Sequence, residues 1–485
     1  MNGSASVSPH AEYDFVCLGG GSAGYAAART ARALGLRVAV VEGGAEVGGL
    51  CILRGCMPSK TMIESANRFI TIRRAREFGL RAENPAVVEP EILARKRWLV
   101  GEFADYRRGQ LEKGGFDFLR GHASFIDEQT IRVSSLEPLG GAQEMRARTF
   151  LIATGSRVAC RPIPGLEETG FWTSDDALEM QRLPESIVIL GAGAIGLEAA
   201  HHFNGLGARV NVVQRGGHVL READADVAGA LEEGLAQRGV RFHCGSRIVR
   251  VERDAASGHK RVWFERAGQA ESVAGEQILC ALGRLPNTDQ LDLEKAGVEL
   301  TPQGAVKTGH DQRTNRAHIF AAGDVAGPYE IVHIGIQQGE VAARNAARHL
   351  GALAGAPEAI DYRLRIFALF TEPQLGSVGM TEREAAQRGI PIRTAHHAFA
   401  DHGKALVRGE TDGFVKLIVA EQDGDGYAGG EILGAAAVGP EASELIHEIV
   451  VAMRFHATAA QLAAIPHYHP TLSEIWTYPA EELAQ

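Results

Sequence analysis

The 485-residue chain predicts an α/β fold in which one strand–turn–helix–strand unit is used twice. Three observations predict it. Short apolar runs end in glycine-rich turns, "GGGSAG" at Gly19–Gly24 and "GAGAIG" at Gly191–Gly196. Each turn opens a helix-like stretch that leads into a second apolar strand, "RVAVVE" ending at Glu42 and "RVNVVQ" ending at Gln214. The two copies keep a constant offset of 172 residues, which carries Gly19 to Gly191, Gly24 to Gly196, Leu34 to Leu206, Arg37 to Arg209 and Glu42 to Gln214.

Length and composition set the frame. A chain of 485 residues has room for roughly three domains of about 150 residues. Apolar residues make up 45%, enough for sizeable cores, and the net charge of -10 gives no basic footprint for nucleic acid or an anionic membrane. No apolar run approaches the ~18 residues of a membrane span. The start, "MNGSASVSPHAEYD", lacks a basic and apolar leader and reads as a frayed tail. Six cysteines in so long a chain do not make a disulfide scaffold. The expected compartment is the cytoplasm, where a close cysteine pair points to redox chemistry or metal.

The repeated unit has a specific chemistry. The first glycine, Gly19 or Gly191, makes the turn out of the strand. The second, Gly21 or Gly193, lets backbone approach a pyrophosphate. The third, Gly24 or Gly196, lets helix and strand pack closely, and the helix N-terminus offers unpaired N–H groups to phosphate. This is a Rossmann-like dinucleotide site, present twice. Glu42 is the acid at the strand end that accepts ribose hydroxyls in the first copy. "IFAAGDVAGPY", Ile319–Tyr329, is a further apolar strand. Its Asp324 has two readings, an acceptor for a ligand's hydroxyls or an ordinary turn residue.

"GGLCILRGCMPSK", Gly48–Lys60, sets Cys51 and Cys56 five positions apart. A bridge needs their Cα atoms about 4.4–6.8 Å apart, closer than a regular helix allows. The segment must bend, and Gly55 permits an unusual backbone angle while Pro58 suits a first helical turn. A helix N-terminus also favours thiolate. An inert bridge and a metal site are the alternatives, but zinc would want two more ligands and no second close cysteine pair exists. Thiol–disulfide exchange needs a proton acceptor. "PHYHPTLSE", Pro466–Glu474, offers His469, with Glu474 placed to hold its second ring nitrogen. A surface loop or metal pair is the competing reading among 18 histidines. His201, His202, His396, His397 and His402 read as solvated or capping residues, and Cys17, Cys160, Cys244 and Cys280 as structural.

Taken together these residues resemble the pyridine nucleotide-disulfide oxidoreductases, from Tyr13 to about Trp476. The resemblance is carried by "GGGSAG", "GGLCILRGCMPSK", "LIATGS", "GAGAIGLE", "LGRLPN", "IFAAGDV" and "HYHPTLSE". It implies a split FAD-binding domain at 1–156 and 285–355, an inserted NAD(P)-binding domain at 157–284, and a C-terminal α+β dimerisation domain at 356–485. A dip in order is expected at "GALAGAPEA", 351–359. By the same resemblance Cys56 exchanges electrons with the flavin and Cys51 is the interchange thiol. Lys60 sits beside the flavin paired with Glu198. Thr154, Gly155 and Gly283 line cofactor sites. His469 acts across a homodimer with shared active sites.

The histidine-x-histidine-proline form is most similar to dihydrolipoyl dehydrogenases, which implies a lipoyl substrate. Gln214 departs from their strand-end glutamate, and Arg215 and Arg221 follow in the same loop as a phosphate-binding pair like that of NADPH-using glutathione reductases. NADP(H) is therefore favoured over NAD(H). An NADPH-dependent reductase of glutathione or another low-molecular-weight disulfide is the rival. A flavoprotein subunit or redox-responsive binding protein without rapid disulfide turnover is a second.

Overall fold

A computed structural model describes residues 12–137, 140–424 and 426–485. The amino-terminal tail, apart from its last residues, lies outside them. The chain divides into two compact units, each assembled from three stretches. The first unit takes residues 1–58, 95–159 and 284–360, the second 59–94, 160–283 and 361–485.

In the first unit, β1 (Glu12–Leu18) lies parallel between β2 (Val38–Glu42) and the strand Ala142–Ile152. Asp117–Asp127 extends the parallel sheet beyond β2, and Ile319–Ala321 extends it on the other edge. The far ends of the two long strands continue into an antiparallel meander with Thr130–Ser135. β1 is apolar and buried from Phe15 to Leu18 because both faces are covered there, as parallel strands require. Tyr13, Val16 and Leu18 join one core, while Phe15 and Cys17 join the other. On that second face lies α1 (Ser22–Ala33), whose small Ala23, Ala27, Ala28 and Ala31 are buried. Against it packs the helix Val332–His349 so tightly that a Cβ on Gly339 would fall 2.2 Å from Ala23 O.

The expected dip in order at 351–359 is corrected. Glu358 accepts from Arg344 Nε at 2.5 Å and Arg348 Nη2 at 2.9 Å, and its own N–H donates to Asn345 Oδ1 at 2.9 Å. These bonds, the two from arginine charge-assisted, tie a sequence of small residues to the preceding helix.

The second unit holds a four-stranded parallel sheet in the order Gln277–Cys280, Ser186–Leu190, Arg209–Val213, Arg241–His243. A three-stranded antiparallel sheet spans residues 246–275. A five-stranded antiparallel sheet runs from Ile366 to Gly439, with the helix Ala442–Arg454 on it. Two short helices beside it start at reciprocal caps, Thr381 with Glu384 and Thr458 with Gln461.

Candidate active site

The two glycine turns are built alike. Strand register pairs Leu18 with Val41 and, at the same offset, Leu190 with Val213. Gly19 N–H donates to Val41 O at 2.8 Å, and Gly191 N–H to Val213 O at 2.9 Å. A Cβ on Gly24 would fall 1.9 Å from Gly19 O, and one on Gly196 2.1 Å from Gly191 O. Only glycine permits that approach of helix to strand. Gly21 caps α1 and Gly193 caps the helix Ala194–Leu206, both extended, with no side-chain cap and no acid in the first turn. The helical N–H groups are thus presented to an anion. A Cβ on Gly193 would meet nothing within 4 Å, and one on Gly21 nothing nearer than Gly49 Cα at 3.8 Å. Both turns fit a dinucleotide's phosphates.

The strand-end residues correspond too. Glu42 accepts the Gly20 N–H at 2.9 Å and the Gly44 N–H at 2.6 Å. Gln214 accepts the Ala192 N–H at 3.4 Å and donates to His218 O at 3.5 Å. A neutral amide therefore stands where the first copy has a carboxylate. Arg215 is exposed. Arg221 is exposed as well, with Nε 3.7 Å from Glu222 Oε1, while its carbonyl accepts from Arg383 Nη1 at 2.7 Å. Arg383 pins the far end of the loop by backbone.

Cys51 lies in α2 (Gly49–Leu53), and Cys56 opens α3 (Cys56–Arg73) after a break at Arg54 and Gly55. The bend comes about differently from the sequence expectation. Gly55 is not left-handed, and what it supplies is closeness: a Cβ there would fall 2.9 Å from Leu50 O and 3.0 Å from Cys51 Cα. The left-handed angle belongs to Gly49, at φ +73°. Its Cβ would fall 2.7 Å from Gly21 Cα. The cysteine segment thus rests on the first phosphate turn through bare backbone, a contact no motif announces. Both thiols are half-buried. Elsewhere burial pushes the Cys17 and Cys280 thiols up, and burial with Glu232 pushes Cys244 up to about 12, so these stay protonated. Cys160 is exposed.

Lys60 Nζ donates to both oxygens of Glu198 at 2.8 Å and lies 4.8 Å from the Phe370 ring centre. The Phe370 N–H reaches the same carboxylate at 3.3 Å. Thr154 is cross-tied to Asn287: its hydroxyl donates to Asn287 O at 2.7 Å and its carbonyl accepts from Asn287 Nδ2 at 3.0 Å. Gly155 O accepts the Asn287 N–H at 2.9 Å. Ser156 Oγ donates to Asp324 Oδ2 at 2.6 Å and accepts from Arg284 Nε at 2.8 Å. Asp324 is thus fixed by Ser156. Gly283 takes φ +109° with open space around it.

His469 Nδ1 lies 3.0 and 3.2 Å from the two oxygens of Glu474. Its ring is 78% exposed and the carboxylate 11%. His467 is tied separately, Nε2 to Glu448 at 2.7 Å and Nδ1 to Ile465 O at 2.9 Å. Three of the histidines read as solvated or capping are in fact buried, namely His201, His202 and His402. His201 meets Asn67 Oδ1 at 2.7 Å and His202 meets Met62 O at 3.2 Å. Burial holds their pKa values down, to about 3 and about 4. His402 Nε2 lies 3.5 Å from Glu474 Oε1, and nothing in "ADHGK" marks it. His396 meets Asp226 at 3.0 Å and His397 stacks on Tyr478 at 3.9 Å. Ligating atoms of Asp226, Glu382 and His396 lie within 4.8 Å of one another. Lys416 Nζ already supplies the cation there, bonded to Asp224, Asp226 and Glu382.

Known proteins share this organisation along almost the whole chain. Residues 13–339 match the pyridine nucleotide-disulphide oxidoreductase family, and residues 367–480 match its dimerisation domain. Dihydrolipoyl dehydrogenase 3 of Haloarcula marismortui is 36% identical over 467 residues, 95% of this chain and 94% of that protein. The crystal structure of LpdA from Mycobacterium tuberculosis superposes with a TM-score of 0.84 at 28% identity, over 97% of this chain and 99% of that one. The HOCl-induced flavoprotein disulfide reductase RclA from Escherichia coli, solved as a Cu(II) complex, gives 0.82 at 27% identity over 97% and 99%. No helix among the described residues is long and apolar enough to cross a membrane. A likeness that runs unbroken through both dinucleotide turns and on into the C-terminal sheet leaves one conclusion: the chain belongs to the pyridine nucleotide-disulphide oxidoreductase family, as an FAD- and pyridine nucleotide-binding oxidoreductase acting on sulfur groups.

Proposed function

We propose that the protein is a dihydrolipoyl dehydrogenase-like enzyme that moves an electron pair between a pyridine nucleotide and a lipoyl group through a Cys51–Cys56 bridge. One observation carries the reading: the cysteine segment packs on the first dinucleotide turn, Gly49 against Gly21. That contact supports a cofactor-linked pair over a remote structural bridge. The domains expected at 1–156 with 285–355, 157–284 and 356–485 take the FAD, the nicotinamide and the partner chain. Gly19, Gly21, Gly24, Glu42, Thr154, Gly155 and Asp324 hold FAD, with Lys60 and Glu198 at its reactive end. Gly191, Gly193, Gly196, Gln214, Arg215, Arg221 and Gly283 hold the nicotinamide coenzyme. FAD, when bound, supplies the two-electron carrier between the two.

The thiol chemistry follows from the side chains. A substrate thiolate attacks Cys51 Sγ, the Cys51–Cys56 bond breaks, and Cys56 leaves as thiolate. His469 Nε2 takes the proton of the second substrate thiol, while Glu474 holds Nδ1 protonated. The second sulfur attacks the substrate sulfur bonded to Cys51, and the cyclic disulfide departs from a Cys51 thiolate. Each site is shared in a homodimer, one chain's His469 serving the other's cysteines. The dimerisation-domain match that spans His469 supports this. Residence in a reducing cytoplasm belongs to the same proposal.

NADP(H) is the proposed coenzyme, supported by the neutral Gln214 followed by two arginines. The same residues favour a second reading, an NADPH-dependent reductase of glutathione or a similar disulfide. Steady-state rates with dihydrolipoamide, lipoamide and oxidised glutathione, each with both coenzymes, separate the two. The lipoyl pair should be turned over faster. Turnover of glutathione alone would replace the first reading with the second.

A further inference from the structure

His402 takes no part in the chemistry above, yet its burial demands a reason. It sits between the turn Phe399–Asp401 and the short helix Gly403–Arg408, and its ring is 0% exposed. Phe399 and Tyr478 meet it edge-on, with ring centres 6.5 and 6.4 Å away. Neither ring nitrogen makes a hydrogen bond to any described residue. An unsatisfied polar group in such a place is destabilising, a penalty that an apolar side chain would avoid. An acceptor lies one short movement away: Nε2 is 3.5 Å from Glu474 Oε1. The other oxygen of that carboxylate is 3.0 Å from His469 Nδ1. One nearly buried carboxylate stands between two imidazoles.

We propose that His402 is a positioning residue for His469: its neutral Nε2–H closes on Glu474 Oε1 and fixes the carboxylate so that the other oxygen aligns the base. The proposal rests on the reading of His469 as the base. Burial keeps the His402 imidazole neutral, reinforced by His397 and His469 and opposed by Glu474, while Tyr478 faces it from the last helix. A donor at Oε1 also shares the carboxylate's charge, so its removal leaves more of that charge to the oxygen that faces the His469 ring.

Two measurements test it. His402→Leu should lower kcat for dithiol oxidation about tenfold, leave KM for the coenzyme unchanged, and move the acidic limb of the pH–rate profile upward. His402→Gln, which retains an N–H donor, should recover most of both. If His402→Leu matches wild type in kcat and profile while His469→Ala is inactive, the positioning role is wrong and the base stands. If His469→Ala keeps wild-type turnover, the base reading itself falls. Histidine-selective 15N NMR of the wild-type protein tests the same idea without a variant. His402 should appear as the neutral Nε2–H tautomer through neutral pH, and an Nδ1–H tautomer would overturn it.

Discussion

Gln214 accepts the Ala192 N–H at 3.4 Å in the place where, 172 residues earlier, Glu42 accepts the Gly20 N–H at 2.9 Å. One strand-end position is charged in the first copy and neutral in the second. A carboxylate there suits two free ribose hydroxyls and repels a phosphate on one of them. Gln214→Glu should therefore shift the ratio of kcat/KM for NADPH over NADH toward NADH by about tenfold or more. Arg215→Ala combined with Arg221→Ala should shift it the same way, since guanidinium bonds to phosphate are lost. A wild-type preference for NADH, or a ratio the double variant leaves unmoved, would reject the phosphate clamp.

The cysteine pair makes a separate prediction. Cys51→Ser and Cys56→Ser should each abolish turnover of lipoamide while the visible flavin absorbance stays with the protein. Near-normal turnover by Cys51→Ser would show that another thiol meets the substrate. Cys17, Cys244 and Cys280 are poor replacements, because burial keeps all three protonated.

Site sharing is open to complementation. Cys51→Ser and His469→Ala chains are each expected to be inactive as homodimers. A mixed dimer would contain one intact site and one doubly damaged site, so activity should return. Absence of recovery in a purified mixed dimer would mean that the base and the cysteines come from one chain.

Acid should unfold the protein partly through its buried histidines. An unfolded histidine takes up a proton below about 6.5. His201 and His202 resist until about 3 and about 4. Between these limits the unfolded chain binds more protons, so stability is full above pH ~6.5 and falls as pH drops toward the folded values. The melting temperature should decline from pH 7 to pH 5, and less steeply in His202→Leu, which has one site fewer. Parallel curves for variant and wild type would exclude His202 as a contributor.

What the sequence announces and what it withholds divide along physical lines. The dinucleotide turns were legible because their glycines serve local geometry, and the fixed offset survives down to the pairing of Leu18 with Val41 and Leu190 with Val213. The bend between Cys51 and Cys56 was legible because helical rise forbids a straight path, but its agent was not. Gly55 and Gly49 look alike in sequence, yet both allow a close approach of backbone and only Gly49, upstream of the bend, takes the left-handed angle. The small residues of 351–359 looked loose because the tether, Glu358 to Arg344 and Arg348, joins charges ten or more positions apart. His402 was invisible for the same reason, its partner lying 72 positions away at Glu474.

The contact of Gly49 with Gly21 makes the seat of the cysteine segment depend on chain that lies far downstream. Residues 48–56 rest on the turn that follows β1, and β1 lies between β2 and the distant strand Ala142–Ile152. A nascent chain halted before residue 142 has the cysteines but not the platform beneath them.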